Sequence, residues 1–288
     1  MKIVLTGSDG QLGYELKRSL PESHTLVAVD REQLDITDAA QVQRFLLDKQ
    51  PDVVINAAAY TAVDKAEEEA ELAYAVNYHG AGNLALGCQQ LAIRMVQIST
   101  DFVFSGKHYR PYLPEDKAAS ASVYGQSKHA GDQAVLELLG EQAIILRTSW
   151  LYSAHGHNFV KTMLKFMQVR DTLSIIYDQV GTPTWAATLA DCIWRILDTP
   201  AQGIYHCADN GLASWYDFAV AIQDEAWQLG LLDNKARLLP IRTEQYPTPA
   251  ARPAYSVLDK SKTEALLQIV LPHWRDSLRQ MLSELAAE

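Results

Sequence analysis

A chain of 288 residues suffices for one large domain or two coupled ones, and it buries a core without the disulfides that staple miniature folds. Its 25 Lys and Arg stand against 35 Asp and Glu, a formal charge of −10, so a nucleic-acid phosphate backbone is a poor partner and a small ligand is the expected one. Apolar residues at 48% and charged residues at 21% are ordinary globular usage and exclude large-scale disorder.

In chain order, short β-branched runs alternate with longer amphipathic segments. Strands are expected at 3–5, 26–29, 53–55, 95–98 and 143–146, each a continuous apolar run of the kind found in strands buried on both faces. Helices are expected between them at 12–20, 38–49, 68–91 and 122–139, with the acidic run Glu67-Glu68-Glu69 as an exposed first helical turn. Right-handed crossovers make this an α/β fold, a doubly wound parallel sheet of the Rossmann type, with ligands beyond the carboxyl ends of the strands. After Leu146 prolines such as Pro183, Pro200, Pro240 and Pro247 punctuate shorter helices, near 157–168, 186–198, 214–229, 260–267 and 273–287. The expected division is a dinucleotide-binding domain over 1–148. A smaller lid that binds substrate covers mainly 149–288, with some of its segments returning to the first domain.

The three cysteines, Cys88, Cys192 and Cys207, form no Cys-x-x-Cys pair, which fits a reducing compartment, the cytoplasm, and no structural zinc. The apolar run at the N-terminus is too short for a signal sequence, and no stretch reaches the roughly 18 apolar residues of a membrane span. Neither a membrane nor a nucleic acid is therefore an expected partner.

Directly after the first strand come Gly7, Gly10 and Gly13, with Gln11 and Leu12 between the last two. A glycine every third residue across a strand-to-helix turn lets backbone N–H groups approach a pyrophosphate at the positive end of the helix. Asp30 ends the second strand roughly 20 residues on, where a carboxylate accepts from a ribose hydroxyl, which favours NADH. Arg31 beside it offers a guanidinium to the 2′-phosphate of NADPH, so the choice of cofactor stays open. Asp35 and Ile36 are candidates for adenine contact, although Thr37 or Asp38 equally suits a helix cap. The small residues Ala57, Ala58 and Ala59, followed by Tyr60 and Thr61, leave room at the end of the third strand for the rest of a dinucleotide.

Tyr124 and Lys128 stand four residues apart, on one face of a helix. An ammonium beside a phenol favours the phenolate and can bring it toward neutrality, where it exchanges protons efficiently, and Lys128 also suits a ribose hydroxyl. With 13 tyrosines in the chain this spacing arises readily by chance. It gains weight from Ser99-Thr100-Asp101 at the end of the fourth strand, where Thr100 offers a hydroxyl to a substrate carbonyl.

Gly7, Gly10 and Gly13, the strand end Asn56-Ala57-Ala58, Val76-Asn77 with Gly80 and Asn83, Ser99-Thr100-Asp101, and Tyr124 with Lys128 together resemble the extended short-chain dehydrogenase/reductase family. Within it, the stretches 11–13, 61–67, 101–104, 147–150, 178–184 and 246–253 are similar to the branch that reduces the 4-keto group of dTDP-4-dehydro-L-rhamnose with NADPH or NADH. The resemblance runs almost end to end and implies roles. Tyr124 would protonate the C4 oxygen, Lys128 would tune Tyr124 and hold the ribose, and Thr100 would bond the reacting oxygen. Thr100, Asp101 and Trp150 match positions that contact the sugar nucleotide, Val63 lies in a matching pocket stretch, and Arg252 would reach the pyrophosphate from the lid. Asn77 matches a helix asparagine often tied to the active-site hydrogen bonds.

There are departures. Phe102 replaces a common tyrosine, and it also stands where related dehydratases carry a glutamate base. Some relatives form homodimers through a magnesium site. Glu15 matches one of its acids but Ala187 falls about where another is expected, which speaks against Mg2+ here. An epimerase or dehydratase on the same scaffold and a noncatalytic regulatory subunit are the competing readings.

Overall fold

The computed structural model describes residues 1–287. The first half builds β1 (Lys2–Thr6), α1 (Gln11–Arg18), β2 (Thr25–Val29), α2 (Ala39–Lys49), β3 (Val53–Asn56), α3 (Val63–Ala66), α4 (Ala70–Tyr74), a π-helical turn (Ala75–Gly80), α5 (Ala81–Leu91), β4 (Arg94–Thr100), α6 (Val123–Leu139) and β5 (Ala143–Thr148). The second half adds β6 (Leu151–Tyr152), α7 (Phe159–Val169), β7 (Thr172–Ile176), β8 (Val180–Gly181), β9 (Thr184–Trp185), α8 (Ala186–Leu197), β10 (Gly203–His206), β11 (Ala213–Ser214), α9 (Trp215–Gln228), β12 (Arg237–Ile241), α10 (Ser261–Leu267) and α11 (Trp274–Ala287).

The central sheet is parallel throughout, in the order β10-β5-β4-β3-β1-β2. Alternate side chains of one strand serve opposite cores, which is why the strands read as unbroken apolar runs. Ile3 and Leu5 pack with Leu12, Leu16, Leu189 and Ile193 of α1 and α8. Val4 packs with Val42, Leu46, Leu84 and Val135 of α2, α5 and α6 on the other face. A third core joins α7, α9 and α11 through Met163, Met167, Phe218, Ile222, Leu278 and Met281. β7 and β12 pair parallel along its side.

The helix expected over 68–91 is broken. Its middle is π-helical at Ala75–Gly80, and α6 packs so near this turn that a Cβ on Gly131 would sit 2.0 Å from the Asn77 carbonyl oxygen. The acidic run before it is more than a solvated face. Glu67 Oε1 accepts from the backbone N–H of Val123 at the start of α6 (2.9 Å), and Glu69 accepts from Tyr60 Oη (2.5 Å). β10, unforeseen in the sequence, adds the sixth strand beside β5. Arg94 locks that side by donating to the carbonyls of Leu197, the last residue of α8, and of Thr199 and Ala201 just beyond it (3.1, 3.1 and 3.2 Å). Among the described residues no helix is long and apolar enough to cross a membrane.

Candidate active site

A cavity of about 920 Å³ opens beyond the carboxyl ends of β1, β3, β4 and β5. All the positions singled out from the sequence as site residues face it: Gly7, Gly10, Gln11, Leu12 and Gly13; Asp30, Arg31, Asp35 and Ile36; Ala57, Ala58, Ala59, Tyr60, Thr61 and Val63; Thr100, Asp101, Tyr124 and Lys128; Trp150 and Arg252.

At one end lies the glycine turn. Gly7 has φ +72° and passes so close to β3 that a Cβ would stand 2.6 Å from backbone atoms of Ala57 and Ala58. A Cβ on Gly13 would meet the carbonyl oxygen of Gly7 at 2.5 Å, so this glycine lets α1 sit tight against the turn. Gly10 N-caps α1 without any side-chain cap, which leaves the first N–H groups of the helix without a side-chain acceptor at the cavity wall.

Asp30 Oδ1 accepts from Gln33 N (3.0 Å) while Arg31 beside it is exposed. Asp35 Oδ1 accepts from the backbone and hydroxyl of Thr37 (2.9 and 2.7 Å), and these bonds hold its carboxyl below the usual range. Asp38, not Thr37, caps α2 by accepting from Gln41 N (3.0 Å). These groups can hold an adenosine ribose and its neighbours. The cradle, which a Cβ would fill, fits a dinucleotide pyrophosphate.

At the other end α6 presents Tyr124 toward the end of β4. Ser122 caps the helix by accepting from Gly125 N (3.2 Å). The Tyr124 ring lies edge-on to Phe102, centroids 5.6 Å apart. The side chain is half-buried by its exposed area but ringed by protein, and this burial pushes its phenol up to about 12, with Thr100 pulling it down and the carboxylates of Asp101 and Asp132 pushing it up. Burial likewise raises Asp101 to about 6. The sequence pairs Lys128 with the phenol to lower it. In the structure the Lys128 ammonium donates instead to the carbonyl of Ile98 (2.7 Å), and burial dominates both groups. A phenol so placed keeps its proton at neutral pH, the form a proton donor needs.

Asn77 ties this end together. Its Oδ1 accepts from Tyr60 N (2.9 Å), and its Nδ2 donates to Tyr60 O (3.1 Å) and Ser127 Oγ (3.0 Å). The π-helical turn thereby fastens β3's exit to α6.

Sequence reasoning missed Trp215, whose ring stacks on Trp150 with centroids 3.6 Å apart. Its Nε1 donates to Gln179 Oε1 (3.2 Å), and Gln179 Nε2 donates to Thr243 Oγ1 (3.1 Å). Also missed were Gly156 and His157, on a strap that crosses the glycine turn. There Ser153 Oγ donates to Glu15 (2.7 Å), Asn158 Nδ2 donates to Gln11 Oε1 (2.9 Å) and His155 stacks on Tyr14 at 4.5 Å. No local sequence signal marks these residues, because only the fold brings them to the turn.

Arg252 faces the cavity with its fork already engaged. It donates from both terminal nitrogens to the Asp64 carboxylate (3.0 and 2.8 Å), which holds that carboxyl below its usual range. It is neither a bare loop charge nor an open anion site. Glu15, the acid matched to a magnesium site, is buried and held by Ser153 and by Arg18 (2.7 Å), while Ala187 brings no oxygen. The residues present do not fit a magnesium ion there, and among the described residues no three His, Cys, Asp or Glu side chains are grouped to hold a metal.

Fold and site together define an extended short-chain dehydrogenase/reductase. Within that class the chain belongs to the RmlD substrate binding domain family, which it matches over residues 1–287. It is 39% identical to the spore coat polysaccharide biosynthesis protein SpsK of Bacillus subtilis, over 98% of this chain and 97% of that one. It is 38% identical to the dTDP-4-dehydrorhamnose reductase of Escherichia coli, over 99% and 98%. The crystal structure of dTDP-4-dehydrorhamnose reductase from Bacillus anthracis in complex with NADP superposes with a TM-score of 0.93 at 38% identity, covering 98% of this chain and 99% of that one.

Proposed function

We propose that the protein reduces the 4-keto group of dTDP-4-dehydro-L-rhamnose to the alcohol, giving dTDP-L-rhamnose, with NADPH or NADH as hydride donor. The carrying observation is one cavity with a glycine turn at one end and Thr100, Tyr124 and Lys128 at the other, in a chain of this family. When bound, the nicotinamide cofactor supplies the hydride. Gly7, Gly10, Gln11, Leu12 and Gly13 seat its pyrophosphate, while Asp30, Arg31, Asp35 and Ile36 meet its adenosine. Ala57, Ala58, Ala59, Tyr60 and Thr61 give the remainder room. The B. anthracis relative holds NADP, and the exposed Arg31 suits a 2′-phosphate, so NADPH is the first choice.

Thr100 donates to the C4 oxygen and polarises the carbonyl, and Tyr124 delivers a proton to that oxygen as negative charge builds on it. Lys128 holds the ribose. Val63, Asp101 and Trp150 contact the sugar nucleotide, and Arg252 reaches its pyrophosphate by exchanging Asp64 for phosphate oxygen. The test mixes purified protein with dTDP-4-dehydro-L-rhamnose and follows reduced-cofactor absorbance, once with each cofactor. Stoichiometric oxidation is expected, and no oxidation with either cofactor overturns the proposal.

A further inference from the structure

On α6 three polar side chains follow at four-residue steps, Tyr124, Lys128 and Asp132, and so share one face of the helix. Each meets the end of β4. Tyr124 lies by Thr100, Lys128 Nζ donates to Ile98 O (2.7 Å), and Asp132 Oδ2 accepts from Ser99 Oγ (2.6 Å). The third member does not line the cavity, although its carboxylate adds to the upward push on Tyr124. It is nevertheless an acid with no solvent exposure at all, and the nearby Lys128 and Arg147 are only 3% and 2% exposed. A carboxylate is not taken that far from water without a charge to answer.

Arg147 on β5 answers it only partly. Its Nε stands 3.7 Å from Asp132 Oδ2, beyond hydrogen-bond reach, and both that Nε and Asp132 Oδ1 lack any protein partner. The guanidinium is held elsewhere, with Nη1 on Pro114 O (3.2 Å) and its plane over the Phe104 ring (5.1 Å). Charged and titratable neighbours on the packed elements are few. His129 flanks Asp132 on its own helix, Arg147 faces it from β5, Ser99 bonds it from β4, Asp101 follows β4 toward Tyr124, and Asn77 of the π-helical turn bonds Ser127 and not the ammonium. Burial works against both charges, lowering Lys128 and raising the Asp132 carboxyl; Arg147 and then Lys128 favour the carboxylate, and the carboxylate in turn favours the ammonium.

We propose that Asp132 is a positioning residue, the counter-charge that keeps the buried Lys128 ammonium charged one helical turn from Tyr124. This rests on the proposed role of Lys128, and the test is built to separate the two. Lys128 is followed by 13C NMR of labelled lysine side chains in parent and Asp132→Asn proteins, assigned with Lys128→Met. In parallel, kcat and KM are measured against pH with NADPH and dTDP-4-dehydro-L-rhamnose. In Asp132→Asn the Lys128 titration should move to lower pH by about one unit or more. The basic limb of kcat should move with it, so that activity lost at pH 8 returns as the pH is lowered, with KM for both substrates unchanged.

A Lys128 titration that stays at the parent value overturns the proposal whether or not the enzyme is active. Titration that moves while kcat against pH superimposes on the parent's overturns the positioning role. An inactive parent overturns the proposed function alone. Because Asp132→Asn leaves a buried guanidinium without its carboxylate, the double variant Asp132→Asn with Arg147→Met serves if the single one does not fold, and the same displacement is expected in it.

Discussion

The indoles of Trp150 and Trp215 lie stacked, their planes 5° apart and their centroids 3.6 Å apart, although one closes β5's exit and the other opens α9. Trp150 holds φ +45°, a left-handed backbone unusual outside glycine, and Gly181 makes space for its ring, since a Cβ there would stand 2.6 Å from the indole. The stack is therefore built from three separate segments. Trp215→Leu should free the Trp150 ring and raise KM for the sugar nucleotide about threefold to tenfold, with KM for NADPH unchanged. Steady-state kinetics with each substrate varied checks it.

Tyr124→Phe removes one hydroxyl and leaves the ring against Phe102. NADPH affinity, read by fluorescence titration, should be retained. Turnover should fall by about 10²-fold or more, the scale of general acid catalysis. Near-normal turnover would show that another group delivers the proton.

Arg252 and Asp64 form a bidentate pair at the cavity wall. If the guanidinium exchanges this carboxylate for a phosphate, Arg252→Met should raise KM for the sugar nucleotide about tenfold and leave NADPH binding intact. Asp64→Asn, which keeps the arginine, should not reproduce that loss. Equal losses in both variants would mark the pair as a structural clasp alone.

His206 is fully buried beside Phe104, its Nδ1 near Asp259 O (3.1 Å) and its Nε2 without a partner. Burial lowers its folded-state pKa to about 3, against 6.5 for a free imidazole. The unfolded chain thus takes up a proton below pH 6.5 that the folded protein refuses until about 3. Stability from this site is lost as pH falls through that window, by about 1.4 kcal/mol per pH unit. His206→Gln should have a shallower decline in urea midpoint between pH 6.5 and 4.5. A parallel decline would reject the assignment.

The sheet was legible because β1, β3, β4 and β5 are covered on both faces and so leave no polar alternation to confuse the reading. The glycine turn and the Tyr124–Lys128 spacing were legible because each is confined to a few neighbouring residues of one turn or one helix face. What escaped depends on distant chain. The π-helical turn packs against Gly131 on α6, and Glu67 reads as an ordinary acidic turn until Val123 N arrives 56 residues later. Trp215 looks like the apolar start of a helix, and only the β8–β11 pairing swings it onto Trp150. Arg252 was legible as a charge near the site, but its partner Asp64 lies 188 residues earlier.

Because β10 comes from the second half, it seals the edge of β5 that would otherwise stand open. A fragment ending at Thr148 would carry every residue of the glycine turn and yet present the backbone of Ile144, Ile145 and Leu146 as an unguarded template for strand addition. Expressed alone, such a fragment is expected to accumulate as insoluble aggregate, and a screen for minimal cofactor-binding units should retain the chain through His206.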